Sequence, residues 1–195
     1  MSKFFIFILS LLAITLMSTA SSLALKFDFS DKKQLDSWEV LNNAGGKWEI
    51  VDGALKITTA GARWDFLTIK GIEFTDGTIQ FKLKWLKGTY CEVGTAYRIQ
   101  DAPDFTNYQI HISTVEPALR WGYCKKATGG GDWGPDLPRP AVKDWGKQPL
   151  DEWFEFKVEV KGDKHTTYAG PVGKMDKVAE VTQGDLKKGK IGIVS

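Results

Sequence analysis

The residues of this chain best suited to chemistry fall on three successive short strands: Arg98 and Gln100, then Gln109 and His111, then Arg120. Alternation puts Tyr97, Ile99, Tyr108, Ile110, Ile112, Leu119 and Trp121 on one face of these strands and the five polar residues on the other. Arg and Gln carry several fixed donors, and Gln and His also accept, so the row suits a ligand rich in hydroxyl groups. His111 adds a group that exchanges a proton near neutral pH, which makes it the catalytic candidate. Trp64, Trp133 and Trp145 lie in flanking loops and offer flat surfaces for stacking. An ordinary solvated sheet face is the other reading of the same alternation.

Other chemistries find less support. Retaining glycoside hydrolysis needs two carboxylates about 5 Å apart. The nearest pattern is Glu155, Lys157 and Glu159, which has a lysine in its middle position. Those three alternate with Phe154, Phe156 and Val158 and read as a solvent-facing side. His165 begins a strand beside a turn and is expected to be exposed. Two histidines and two cysteines in no ligand spacing argue against a metal such as zinc. Asp101, Asp104 and Asn107 share a loop and supply oxygens of the kind calcium takes, and no other cofactor is expected. Gly129-Gly130-Gly131 lacks the Lys-Ser/Thr that a phosphate loop requires, and no nucleophile elbow is present. Cys91 and Cys124 are a disulfide candidate; a bridge and two separate thiols both fit their spacing.

The elements that must position these residues are short strands. Trp48 to Ile57 shows the pattern best: Trp48 and Ile50 face one way, Asp52-Gly53 turns, and Leu55 and Ile57 return on the same face. Thr78 to Leu86, Glu152 to Val160 and several shorter runs repeat the period of two. Residues 127–149 hold three consecutive glycines and Pro135, Pro138, Pro140 and Pro149, a composition that cannot run through the middle of a sheet. No stretch has a long helical period. The expected fold is all-β, a two-sheet antiparallel β-sandwich.

The chain has 195 residues and a formal charge of +2, from 26 Lys and Arg against 24 Asp and Glu. So even a balance gives no reason to expect nucleic acid as a partner. Lys3, the apolar run from Phe4 to Met17 and the small residues up to Ala24 have the layout of a secretory signal peptide cut after Ala24. The run is short for a membrane span, so no stable membrane insertion is expected after cleavage. Residues 25–195 then form one domain, secreted or periplasmic.

The order of elements resembles the concanavalin A-like, or laminin G-like, jelly roll. The resemblance is carried by Phe27-Asp28-Phe29 with Trp38, Trp48 and Asp52-Gly53-Ala54-Leu55, Phe74 to Ile79, Gly94 with Tyr97-Arg98, Asn107-Tyr108, Glu152 to Gly162, and Gly189-Lys190-Ile191-Gly192. Within that superfamily the chain is most similar to the 3-keto-disaccharide hydrolase domain, also described as 3-keto-glucoside lyase/hydratase-like. The resemblance implies a ligand face on the concave sheet and a carbohydrate or glycoside ligand. Three functions follow: a carbohydrate-binding domain, a hydrolase or lyase acting on 3-keto-glycosides, or a structural and adhesive module without a small-molecule site. Relatives in this family continue past the position of Gly192 into a strand that pairs with the first; here either the chain is a fragment lacking that last strand or its sheet closes differently. Gln109 stands where the hydrolase-like members are expected to carry an acid.

Overall fold

The computed structural model describes residues 5–16, 23–59, 64–87, 92–113, 118–127, 141–144 and 151–195. Its strands, in chain order, are β1 (Phe5–Leu16), β2 (Leu23–Phe27), β3 (Trp38–Asn42), β4 (Lys47–Val51), β5 (Ala54–Thr59), β6 (Phe66–Ile69), β7 (Gly77–Lys87), β8 (Glu92–Ile99), β9 (Asn107–Ser113), β10 (Ala118–Cys124), β11 (Ala141–Asp144), β12 (Trp153–Lys161), β13 (Lys164–Pro171), β14 (Asp176–Thr182) and β15 (Lys190–Val194). A 3-10 turn at Lys32–Ser37 is capped by Asp31, whose side chain accepts from the Lys33 N–H.

Two antiparallel sheets result. Sheet A runs β14-β13-β12-β7-β1-β5-β4, with β2 paired to β1, and sheet B runs β11-β10-β9-β8-β15-β6-β3. This is the expected β-sandwich. The β4–β5 hairpin turns on Asp52 and Gly53 with φ of 53° and 73°, the positive values that a two-residue primed turn demands. Residues 127–149 contribute β11, which the sequence pattern did not suggest; it sits at the edge of sheet B, where such a segment can be accommodated.

The apolar N-terminal segment forms β1, antiparallel to both β5 and β7. It therefore sits inside sheet A in the uncut chain, and a cut after Ala24 would take it out. Among the described residues no helix is long and apolar enough to cross a membrane.

The main core lies between the sheets. Ile79, Phe81, Leu83 and Trp85 of β7 and Phe154, Phe156, Val158 and Val160 of β12 face Tyr108, Ile110, Ile112, Leu119 and Trp121 of sheet B. The alternate positions of β7 and β12 turn outward, yet that side is not uniformly wet. Glu155 is buried, accepting from Gln80 Nε2 at 2.8 Å and from the Gly173 N–H at 2.8 Å. Glu159 remains partly exposed and binds Lys157 Nζ at 2.7 Å.

His165 corrects the expectation of exposure, because β13 pairs it with Val160 of β12, whose side chain faces the core between the sheets. It is fully buried among the rings of Tyr97, Tyr108 and Trp121. Trp121 Nε1–H donates to the Tyr97 hydroxyl at 2.8 Å, and that hydroxyl lies 2.9 Å from His165 Nδ1. His165 Nε2 lies 2.9 Å from the Gln183 carbonyl, which can only accept. The proton is therefore on Nε2, and Nδ1 accepts from Tyr97. Burial pulls the His165 pKa down to about 4 and pushes that of Tyr97 well above the usual phenol value.

Candidate functional site

The three strands expected to carry the site are neighbours at one end of sheet B, and the register fixes which side chains share a face. Gln109 pairs with Ala96 on β8 and Gly122 on β10, and His111 pairs with Gly94 and Arg120. Asn107, Gln109, His111 and Arg120 therefore point away from sheet A, as alternation requires.

Arg98 does not join them. Its φ is 51°, and the β8–β15 register shifts beside it, between Lys190 and Ile191. This bulge breaks the alternation, which sends Ile99 to the outer face and leaves Tyr97 on the inner one. The Arg98 side chain is 1% exposed and spends its donors on backbone carbonyls: Nε and Nη2 to Thr75 at 3.0 and 2.8 Å, Nη1 to Leu186 at 2.7 Å, and Nη2 to Gly162 at 2.8 Å. A guanidinium so committed is a clamp between loops. Gln100, beyond the strand end, donates to the carbonyls of Arg98 and Lys188 at 2.9 and 2.7 Å. It lines a separate cleft of about 290 Å³ with Glu39, Glu73, Asp101 and Lys190. The charges there pair among themselves, Lys190 with Asp101 at 3.3 Å and Lys188 with Glu73 at 3.2 Å.

The outer face of sheet B is also drier than a solvated sheet. Trp64, Phe66, Ala96, Ile99, Phe105, Cys124 and Val194 form a second apolar cluster on it. Within this cluster Gln109, His111 and Asn107 are fully buried. Trp64, expected in a loop as a stacking platform, is buried and packs against the His111 ring, centroid to centroid 5.6 Å.

The alternation missed Glu92. Its Oε1 lies 3.9 Å from His111 Nε2. The missed signal was the strand's start: β8 begins at Glu92, two residues before Gly94, and so on the face that Gly94 shares with His111. An imidazole beside a carboxylate is an arrangement that can move a proton to or from a bound molecule.

Trp133, Trp145 and Cys91 lie outside the described residues. Cys124 is buried with its thiol 3.7 Å from the Lys125 carbonyl. Of the calcium candidates, Asp101 pairs with Lys190, whereas Asn107 is buried and gives its Nδ2 to the Phe105 carbonyl at 2.7 Å. Among the described residues no group of three or more His, Cys, Asp or Glu is placed to hold a metal ion.

The fold is similar to that of the carbohydrate-binding module CBM66 from Bacillus subtilis, with a TM-score of 0.59 at 16% identity over 82% of this chain and 87% of that one. It is also similar to a GH43_12 protein retrieved from a capybara gut metagenome, with a TM-score of 0.58 at 14% identity over 88% of this chain and 34% of that one. No curated protein matches the sequence. Residues 27–194 match a family model, and the chain belongs to that family, the 3-keto-alpha-glucoside-1,2-lyase-like domain.

Proposed function

We propose that this domain is a secreted or periplasmic carbohydrate-binding module that takes its ligand on the face of sheet B turned away from sheet A. Gln109, His111 and Arg120 would line the site, with Trp64 beside them. The observation that carries the reading is the Gln109 side chain, buried with neither Nε2 nor Oε1 hydrogen-bonded. Buried polar atoms in folded proteins are nearly always satisfied, and a sugar hydroxyl supplies both a donor and an acceptor. Membership of a sugar-acting family and the likeness to CBM66 support the same ligand class. A glycan array and a 3-keto-disaccharide turnover assay on the purified protein, each with and without calcium, test it. Glycan binding is expected, and silence in both from folded protein would leave a structural module as the better account.

A second reading is a lyase or hydrolase acting on 3-keto-glycosides, with His111 as the proton-transfer residue. It is favoured by the carboxylate of Glu92 beside that imidazole. Turnover in the same assay would make the domain an enzyme whose binding face is also its active site.

A further inference from the structure

Gln109 sits near the middle of β9, with Ala96 on one side and Gly122 on the other. Neither neighbour has a polar side chain to offer the amide. Two residues back on the same face, Asn107 uses its Nδ2 on the Phe105 carbonyl and leaves Oδ1 buried without a partner. The row therefore presents three unsatisfied atoms, one donor and two acceptors. A buried amide in this state destabilises the fold, and an apolar side chain of similar shape would not. The face thus lacks a partner that brings one acceptor to Nε2 and hydrogens to the two oxygens. An anionic group would bring lone pairs to two acceptors, so the row favours a neutral polyol.

Building on the carbohydrate reading above, we propose that Gln109 is the specificity-determining residue of this face and reads an adjacent donor–acceptor pair on an uncharged sugar. One hydroxyl donates to Oε1, the neighbouring hydroxyl or keto oxygen accepts from Nε2, and Asn107 Oδ1 takes a further hydroxyl.

The test is calorimetric titration of the purified protein with sucrose, 3-ketosucrose and sucrose 6-phosphate, together with urea unfolding. In wild type, at least one neutral sugar binds and the phosphate ester binds more weakly. Gln109→Met loses affinity by roughly tenfold to a hundredfold, the loss of two neutral hydrogen bonds. Its urea midpoint rises, because the unsatisfied amide is gone. A structural glutamine would show the reverse, so unchanged affinity or a lowered midpoint overturns the proposal while the carbohydrate reading stands. Gln109→Glu gives a second readout: a protonated carboxyl restores the donor, so affinity should climb as pH falls, and a profile parallel to wild type counts against the proposal. If wild type binds none of the three, the same titrations are decided with the glycan that the array identifies, and silence on the array as well removes the carbohydrate reading and this inference with it.

Discussion

Arg98 Nη2 holds the Asp76 carboxylate at 3.1 Å from a buried position, and the same Asp76 oxygen accepts the Gly162 N–H at 3.0 Å. The pair ties the segment before β7 to the β12–β13 turn, while Nη1 reaches Leu186 in the segment before β15. Three parts of the chain far apart in sequence meet on one side chain. Arg98→Ala should cost about 3 kcal/mol, because it leaves several inward-facing carbonyls without donors. Arg98→Lys should recover part of this, since an ammonium cannot span the same fork. Urea unfolding of both variants measures the loss. Sugar affinity of the folded fraction should change less than it does for Gln109→Met, since Arg98 lies off the proposed binding face.

His165 predicts a pH dependence of stability. Its folded pKa of about 4 lies below the ordinary value of 6.5, so between these two the unfolded chain binds more protons. Stability from this group is complete above about pH 6.5 and is lost as pH falls toward 4. The full effect is on the order of 3 kcal/mol. Chemical denaturation at pH 7 and at pH 4.5 should show the drop, and His165→Gln, with no ionisation to couple, should flatten it.

How much of this was legible in the sequence follows from where the period of two holds. Phe81, Leu83, Trp85 and Phe156 alternate without interruption, and their faces came out as the pattern implies. Alternation carries no sign of a bulge, so it groups Arg98 and Gln100 with Gln109 and His111, whereas one positive φ at Arg98 separates them. The burial of His165 has no local signal, because the rings of Tyr97, Tyr108 and Trp121 that surround it belong to the opposite sheet. The burial of Glu155 is equally silent in its own strand, since the N–H that it accepts comes from Gly173 in the β13–β14 turn.

Variants of Glu92 and His111, which lie 3.9 Å apart, separate binding from catalysis. If the face performs proton transfer, His111→Ala should lower turnover of 3-ketosucrose by about a hundredfold or more, the range typical of a general acid or base. Glu92→Gln keeps the size and removes the charge, so it should reduce kcat and leave KM nearly unchanged. A pure binding module would show no turnover in wild type and a change in Kd alone for both variants.

A cut after Ala24 would have a structural consequence. The protein recovered after export should begin at Leu25, which intact-mass measurement reads directly. Removal of β1 frees the edges of β5 and β7 that it pairs with, Leu55 and Ile57 on one side and Phe81, Leu83 and Trp85 on the other. Backbone amides of β5 and β7 that bond to β1 should then exchange with solvent faster than in the uncut chain.

Gly94 and Gly53 make a pair of substitutions whose costs have different origins. Gly94 lies opposite His111, and a Cβ built on it would fall 1.8 Å from the Ile110 carbonyl oxygen and 2.6 Å from the His111 Cα. Both are backbone atoms of the adjoining strand, so no side-chain rotation relieves the clash, and β8 and β9 must separate. Gly94→Ala should therefore cost more than about 2 kcal/mol, as overpacking in a well-packed region does. It should also weaken sugar binding, because the strand that carries Gln109 and His111 is displaced. Gly53 has φ of 73° and nothing within 4 Å of a built Cβ. Its substitution by alanine meets backbone strain alone, about 1 kcal/mol, at a turn in sheet A away from the face. Urea midpoints and sugar titrations on the two variants should thus diverge: both less stable, with affinity lost in Gly94→Ala and kept in Gly53→Ala. Equal affinities would mean that the close approach of β8 and β9 does not position the β9 row.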